Sequence, residues 1–361
     1  MLQIIDRYIL KMFLAYLVAG LAVFVTLFVA VDFTSTFVRY DVSPGTLLAY
    51  YAYFSPAIIY QMIPVACLMA TVFTLSGINR TQELTALYSV GMSLARISAP
   101  ILVSVGIVSA LSFWMGDRLV PLATQKKNYV YYVDIRNQPG LYSTVKKNKI
   151  WFRSENVLFN IQTLNAPERR AQGLSLYYFN QAWDLVQLVR AENVSMDGNS
   201  WDLRNGSVTI FTEDSSFPLT REFKTKRIAM GGSGISDIES SSKTSDIMNI
   251  SELSRFITRN KAAGLDTVNY EVDYHSKFSF AFAAFVMTLL GIPFSVRGSR
   301  RSGGTMVNAG MCILLTFVYW VFYSSGLALG KYGSLSPFIS AWLPNIVMTL
   351  LAVNFLVRLR R

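Results

Sequence analysis

The chain has 361 residues, of which 52% are hydrophobic and 15% are charged. Soluble domains carry about 25% charged residues, so this composition excludes an ordinary soluble enzyme and a disordered chain. The formal net charge of +11 does not indicate nucleic-acid binding, because most charged residues lie between Asp117 and Lys277. The rest of the chain consists of apolar runs with small basic clusters. This pattern is typical of a membrane protein, in which basic residues report topology.

Six apolar runs are long enough to cross a bilayer as helices, which takes about 20 residues. They are Met12–Val31, Phe54–Gly77, Ile97–Met115, Phe278–Val296, Met306–Leu329 and Pro337–Val357. Because the first run follows Arg7 and Lys11, a cleaved signal peptide is an alternative for it. Its apolar stretch exceeds the roughly 7–15 residues of a signal-peptide core, and no small-x-small cleavage site follows. We therefore expect a retained signal-anchor helix.

Basic residues near the ends of these runs predict the orientation of the chain, because they favour the cytoplasmic side. One side receives Arg7, Lys11, Arg80, Arg96, Arg297, Arg300, Arg301, Arg358, Arg360 and Arg361. The short loops opposite contain Arg39 and Lys331. Both termini are therefore expected in the cytoplasm. The polar middle segment is expected on the other side, which is the periplasm in a Gram-negative bacterium.

These features divide the chain into three segments. We expect residues 1–124 to hold three spans, residues 125–248 to form a β domain, and residues 249–361 to hold a connecting helix and three further spans.

The loop between the second and third runs predicts a short amphipathic helix over about residues 79–91. Asn79 and Gln82 have capping-box spacing, and Glu83 lies in the first turn, where the helix dipole favours a carboxylate. One apolar face follows at helical spacing, formed by Leu84, Leu87, Tyr88 and Gly91. A helix this short cannot span a membrane. It lies along the membrane surface or docks into another protein, unless it is an ordinary connector.

The middle segment changes to the pattern of β-strands. Residues 157–164, 173–179 and 207–212 are short runs rich in β-branched and aromatic residues, and turn pairs such as Asp197-Gly198 and Asn205-Gly206 lie between them. This spacing predicts a sandwich or jelly roll. The residues expected between its sheets are Trp151, Phe159, Ile161, Leu176, Tyr178, Val208 and Ile210.

A short helix is predicted after the β segment. Ile250, Leu253, Phe256 and Ile257 mark its apolar face, with Ser251 as its cap and Gly264 as its stop.

Catalytic and metal-binding signatures are absent from the sequence. It has no P-loop, no H-E-x-x-H and no G-x-S-x-G motif, its sole histidine is His275, and Cys67 and Cys312 both lie in apolar runs. We therefore predict no catalytic residue, no metal, no cofactor and no ATP site. Asp32 at the edge of the first run is a candidate functional acid by its location, but a solvated carboxylate at the rim is the simpler interpretation.

Several stretches together resemble the LptF/LptG permease family. They are Ile5-Asp-Arg-Tyr-Ile, residues 82–92, Gly173-Leu-Ser-Leu-Tyr-Tyr-Phe-Asn followed by Trp201-Asp-Leu, and Tyr274-His-Ser-Lys-Phe. The resemblance covers essentially the whole chain, and the start and middle are more similar to LptG members than to LptF members. It implies an α-helical membrane protein with six transmembrane helices in a three-plus-three arrangement and an inserted periplasmic β-jellyroll domain.

The resemblance also implies function and partners. Such permeases extract lipopolysaccharide from the bacterial inner membrane. The implied partners are an LptF-like half-permease, an LptB-like ATPase dimer that hydrolyses ATP, and LptC-like and LptA-like periplasmic bridge proteins.

The resemblance assigns the short cytoplasmic helix to ATPase coupling. The residues expected there are Arg80, Glu83, Leu84, Leu87, Tyr88 and Gly91.

Lipid-binding residues are expected at the outer end of the spans and in the β domain. They are Phe24, Phe28, Phe33, Arg39, Lys126, Lys127 and Lys277 at the spans, with Phe159 and Tyr178 in the β domain. Family members carry several lysines near the outer end of the first span, whereas this chain has Asp32, Val38 and Arg39 there. The simpler interpretation of each basic residue is interfacial snorkelling. For the β domain, the alternative is a closed accessory domain without a ligand.

Three other classes of protein remain as alternatives. A membrane-bound enzyme of lipid metabolism needs a cluster of acid, base or nucleophile, which the sequence lacks. A secondary transporter needs polar residues within its spans, and the runs contain little beyond Ser, Thr and Gln61. A permease of another ABC exporter class, for lipoproteins or other lipids, is closer, but such permeases have four spans.

Overall fold

The structure is a computed structural model that describes residues 4–36, 42–136, 150–154, 156–165, 170–197, 200–211, 217–229, 245–262, 266–297 and 304–359. The chain forms two compact units, which are Met1–Lys127 with Val268–Arg361, and Asn128–Thr267. We call them the membrane unit and the β unit.

The described residues contain nine α-helices. They are α1 (Ile4–Thr36), α2 (Pro44–Arg80), α3 (Glu83–Ser89), α4 (Leu94–Trp114), α5 (Val120–Tyr129), α6 (Ile250–Ala262), α7 (Val268–Arg297), α8 (Gly304–Lys331) and α9 (Pro337–Leu359). A π-helical turn, Met115–Leu119, joins α4 to α5 without a break, and a second, Val130–Ile135, follows α5.

Six helices among the described residues are long and apolar enough to cross a membrane, as the six runs predict. The third is longer than expected, because it continues from Leu94 through both π-helical turns to Ile135. The helices differ sharply in burial. Within the most apolar stretch of each helix, 72% of the residues of α7 and 67% of those of α2 are buried, against 11% for α1 and 22% for α8. Thus α2 and α7 form the centre of the membrane unit.

The β unit contains one antiparallel sheet. Its strands are β1 (Ile150–Ser154), β2 (Val157–Asn165), β3 (Arg170–Phe179), β4 (Leu185–Asp197), β5 (Ser200–Ile210) and β6 (Leu219–Ala229), paired in chain order. The six spans and the inserted antiparallel β domain confirm the expected fold class. The described strands form one continuous sheet, and Ile161, Leu176, Tyr178 and Val208 belong to one face of it. We call this face the inner face.

The inner face is closed at one end of the sheet and open at the other. At the closed end, Met196, Trp201 and Ile228 are paired across three strands, and Trp201 is fully buried. At the open end, Ile210 pairs with Leu219, and their exposed fractions are 46% and 68%.

The predicted β core is only partly correct. Ile161 and Leu176 are fully buried, and Tyr178 and Val208 are partly buried against the same cluster. The prediction of Ile210 as a core residue is wrong, because Ile210 ends β5 at the open end and is largely exposed. The side chains of Trp151 and Phe159 lie outside the described residues.

The pair Asn205-Gly206 lies within β5 and does not form the predicted turn. Asn205 has a φ of 51°, and a side chain at Gly206 would collide with the Arg190 carbonyl and the Phe223 ring. This irregularity shifts the alternation of β5, which explains why Leu203 and Val208 both contribute to the inner face. The predicted Asp197-Gly198 turn includes Gly198, which lies outside the described residues, although Asp197 and Ser200 on either side are paired.

The cap of α6 is Asn249, so the predicted cap at Ser251 is wrong. The Asn249 side-chain oxygen accepts from the Glu252 amide at 2.8 Å, and the Glu252 carboxylate accepts from the Asn249 amide at 3.2 Å. These two bonds form a reciprocal capping box. The Ser251 hydroxyl, within the first turn, bonds to the Asn249 side chain. The predicted stop at Gly264 lies outside the described residues.

Candidate functional site

The predicted surface helix is present as α3, but it begins later than expected. Asn79 and Arg80 belong to the last turn of α2, and the side-chain amide of Asn79 donates to the backbone carbonyl of Val296 in α7 at 3.4 Å. The residue before α3, Gln82, has a φ of 64° and makes no side-chain cap bond. The predicted Asn79–Gln82 capping box is therefore wrong, because the Asn79 side chain bonds instead to α7, which is distant in the sequence.

Gly91 ends α3 and does not extend its apolar face. The Gly91 amide donates to the Tyr88 carbonyl at 2.9 Å and the Met92 amide to the Leu87 carbonyl at 3.1 Å. This is a Schellman motif, which requires a left-handed residue at its end, and Gly91 has a φ of 84°. Its role is to let the chain turn sharply into α4.

One face of α3 is anchored in the membrane unit and the other is exposed. Leu84 is 1% exposed and Leu87 is partly buried, both within an apolar cluster that includes Ile9, Ile78 and Ile97. Tyr88 is 41% exposed, and its partial burial raises the pKa of its phenol. Arg80 and Gly91 are exposed. The predicted coupling residues therefore include both anchors and surface groups.

Glu83 lies at the edge between these faces. Its carboxylate accepts a hydrogen bond of 3.4 Å from the Tyr8 hydroxyl of α1. The two side chains stand beside a cleft of about 220 Å³, whose lining is Ile5, Tyr8, Ile9, Ile78, Glu83, Ala86 and Leu87. Among the described residues, no cation lies within ion-pair distance of Glu83. Its negative charge is thus available to a partner.

An ion pair that the sequence did not indicate joins α1 to α4 at the same end. Arg96 donates to both carboxylate oxygens of Asp6, at 2.8 and 3.0 Å. Asp6 is 6% exposed, and the Ser93 hydroxyl, which accepts from the Arg96 amide, caps α4. We call this end of the membrane unit the α3 end. An acid just before an apolar run was the available signal, but its partner is 90 positions away.

The opposite end of the membrane unit, which we call the far end, combines aromatic rings with lysines. The Lys126 ammonium lies 5.5 Å from the centre of the Tyr53 ring, and the Lys127 ammonium lies 4.7 Å from that of Phe54. These distances are those of cation–π contacts. The Phe28 ring meets Phe54 edge-on at 5.8 Å. The structure thus brings Phe28, Lys126 and Lys127 together around α2.

Three other predicted lipid-binding residues of the spans have different surroundings. Phe24 packs against the apolar cluster of the α3 end, and Phe33 is 40% exposed. Lys277 is half-buried on α7, next to Phe278, whose ring packs on Phe113 of α4. Arg39 lies outside the described residues.

Asp32 receives a hydrogen bond of 3.1 Å from the Tyr51 hydroxyl. A carboxylate at the rim that bonds a neighbouring helix fits the simpler, structural interpretation.

The spans hold a polar network that the sequence did not indicate. Asn345 of α9 is 1% exposed, accepts from the Tyr319 hydroxyl of α8 at 2.9 Å, and donates to the Ser279 carbonyl of α7 at 2.7 Å. The statement that the runs hold little beyond Ser, Thr and Gln61 is therefore wrong. Because its carbonyl and amide both have protein partners, Asn345 acts as a structural link between three helices.

In the β unit, Tyr178 lies next to the open end of the inner face, paired with Val157 and Gln187. Partial burial raises the pKa of its phenol. The backbone of Phe159 pairs with Leu176, and its side chain lies outside the described residues. No group of three or more potential metal ligands occurs in the part of the chain that the structure describes.

Six membrane-crossing helices and an inserted β unit define a multi-pass membrane protein. The profile described as lipopolysaccharide export system permease LptF/LptG matches residues 7–359. Over 326 residues, 88% of this chain and 88% of the relative, the chain is 22% identical to the lipopolysaccharide export system permease protein LptG of Haemophilus influenzae.

This chain therefore belongs to the LptF/LptG family, as the sequence motifs indicated. It is a permease subunit of lipopolysaccharide export and a multi-pass membrane protein.

Proposed function

We propose that this chain is the LptG-type half of an exporter that extracts lipopolysaccharide from the inner membrane, and that α3 receives the force of ATP hydrolysis. The observation that carries the proposal is the two-faced packing of α3. Leu84 and Leu87 fix it to the core of the membrane unit, while Glu83 and Tyr88 remain accessible. A short helix held in this way transmits a push from a soluble partner to the spans.

The partner at α3 is an LptB-like ATPase dimer. The sequence has no P-loop, so ATP hydrolysis requires another subunit. The basic residues Arg7, Lys11, Arg80 and Arg96 belong to the α3 end, and such clustering favours the cytoplasm. Both termini then lie in the cytoplasm, and the β unit lies in the periplasm.

A second membrane subunit completes the exporter. The long apolar sides of α1 and α8 are mostly exposed, and exposed apolar faces of spans are covered by lipid or by another membrane protein. We assign part of this surface to an LptF-like half-permease, with the lipid path between the two subunits.

The far end is the proposed contact for the lipid headgroup. Lipid A carries phosphates above its acyl chains, so a site needs cations above an apolar wall. Lys126 and Lys127 supply the charge, and Phe24, Phe28 and Phe33 supply wall. Arg39 and Lys277 are further candidates. Charge reversal at Arg39 together with Lys127 is expected to lower photocrosslinking of lipopolysaccharide in the cavity, and unchanged labelling would remove both from the site.

The β unit is proposed to pass acyl chains to LptC-like and LptA-like bridge proteins. Its inner face is apolar and open at the end that carries Tyr178, Ile210 and Leu219, and an exposed sheet edge is a template for a neighbouring strand. Photocrosslinkers at Phe159 and Tyr178 test this role. Lipopolysaccharide adducts that require ATP hydrolysis support it, whereas an unlabelled domain during active transport supports a closed accessory domain.

The substitution Glu83→Ala tests the central assignment. Loss of one partner of a buried charged pair costs on the order of 2–5 kcal/mol of binding free energy. We therefore expect Glu83→Ala to reduce recovery of the ATPase with the permease, or to uncouple ATP hydrolysis from lipid release. Glu192→Ala, at an exposed carboxylate of β4, is the control. Unchanged complex yield together with unchanged lipid release would refute the assignment.

A further inference from the structure

The carboxylate of Glu83 is held by a helix other than its own. Tyr8, which donates to it, is four residues from the start of α1 and 75 positions away in sequence. Glu83 lies in the first turn of a seven-residue helix whose preceding residue makes no side-chain cap bond. Local structure alone therefore leaves the direction of the Glu83 side chain weakly determined.

The first turns of α1 have three contacts at different angles. Successive helical residues are about 100° apart, so Asp6 and Tyr8 point about 200° apart and reach different neighbours. Asp6 bonds to Arg96 of α4, and Tyr8 bonds to Glu83 of α3. Ile9, which lies between these two directions around the helix, is buried in the apolar cluster. This turn is consequently fixed to α4 while it holds a group on α3.

The cleft beside Glu83 indicates which kind of side chain could bind there. Its walls are apolar, from Ile5, Ile9, Ile78 and Leu87, and its polar atoms belong to Tyr8 and Glu83. A carboxylate next to an apolar wall suits a cationic side chain with an apolar stem. Because Glu83 has no cation within ion-pair distance among the described residues, the direction of its carboxylate decides whether an incoming cation meets it.

We propose that Tyr8 is a positioning residue, which aims the Glu83 carboxylate at the ATPase, and that the Asp6–Arg96 pair fixes the turn that carries Tyr8. This inference rests on the proposed docking function of α3. It adds the first turn of α1 to the docking site. The same helix provides Phe28 at the far end, so α1 connects the ATPase contact to the lipid contact.

The test is a double-mutant cycle on binding of the LptB-type ATPase of the same organism to the full permease pair in nanodiscs. Tyr8→Phe keeps the ring and removes the hydroxyl. Since Tyr8 is 47% exposed, this change leaves folding intact, which a thermal melt checks. Because the bond is exposed and 3.4 Å long, its loss is expected to act like that of an ordinary hydrogen bond and to weaken binding about three- to tenfold. Tyr16→Phe is the matched control, because its ring packs on Phe73 of α2 at 5.9 Å and is outside the cleft.

The cycle distinguishes positioning from a merely structural role. If Tyr8 acts through Glu83, Tyr8→Phe weakens binding in the natural background and has no further effect in the Glu83→Ala background. Full affinity of Tyr8→Phe, or the same loss in both backgrounds, would overturn the inference while leaving the docking function intact. Normal binding of Glu83→Ala itself would overturn both.

Discussion

Helices α1 and α7 are the least and the most buried of the six spans that the structure describes. In the most apolar stretch of α7, 72% of residues are buried, against 11% in α1. α7 packs along its length against α2 and α9 and takes part in the Asn345 network. α1 instead packs on one side only, where Phe13 and Leu17 enter the apolar cluster and Tyr16 contacts Phe73. Polar bonds hold its first turns through Asp6–Arg96 and Tyr8–Glu83, and its other end through Asp32–Tyr51.

This difference indicates what each helix does. Apolar side chains gain little by leaving lipid for protein, so polar bonds and close packing decide which spans stay together. α7 is a fixed part of the bundle. α1 is packed along one side only and bonded near its ends, which leaves its other, apolar side available to lipid or to another membrane protein. The substitutions below test the contacts at the α3 end, the packing around α7 and the contacts at the far end in turn.

The largest effect is expected at the anchor of α3. Leu84→Ala removes a fully buried side chain from the cluster shared with Ile9 of α1, which costs about 2–5 kcal/mol. We expect the amides of α3 to lose protection in hydrogen exchange, with weaker ATPase binding as a consequence. Val90→Ala, at a site 80% exposed in the same loop, is expected to change neither quantity. Unaltered exchange in Leu84→Ala would show that α3 does not depend on this packing.

A smaller effect is expected in the bundle around α7. Asn345→Ala leaves the Tyr319 hydroxyl and the Ser279 carbonyl without this partner, at a cost of about 1–2 kcal/mol. Unfolding in a detergent titration should occur earlier, while ATPase binding at α3 should be unaffected. Asn354→Ala on the same helix is the control, because Asn354 is exposed. Equal stability of both variants would contradict a structural role for the network.

Whether the sequence predicts a feature depends on how far apart in the sequence its residues lie. The six spans follow from their apolar length, β2 and β3 follow from local alternation, and the packing of Leu84 and Leu87 follows from their spacing. The predicted runs did not include β4 or β6, and the run at 207–212 covers only the end of β5. The start of α3 lies later than its capping pattern predicts because Asn79 bonds to Val296. The pairs Asp6–Arg96 and Tyr8–Glu83 have no local signal, because each joins positions that are distant in the sequence. The cap of α6 is Asn249 where Ser251 was predicted, because neighbouring polar residues compete for that role.

The smallest effect is expected at the far end. Lys127→Gln removes a cation that rests on the Phe54 ring. A cation–π contact that is not fully desolvated contributes about 0.5–1 kcal/mol, so detergent stability should change little. Lipopolysaccharide binding in the purified complex should weaken several-fold through loss of a phosphate contact. Lys224→Gln, at an exposed lysine of β6, is the control. Equal lipid binding by both variants would exclude Lys127 from the headgroup site.

The most direct test of the account is a photocrosslinking measurement at the exposed face of α3. A photoreactive residue in place of Tyr88, in cells that carry the complete exporter, should form an adduct with the ATPase. The same residue in place of Trp114, which is 55% exposed at the end of α4 away from α3, should not. An ATPase adduct at Tyr88 alone would support α3 as the cytoplasmic docking helix. Export that continues without any ATPase adduct at Tyr88, or an adduct at Trp114 instead, would contradict it.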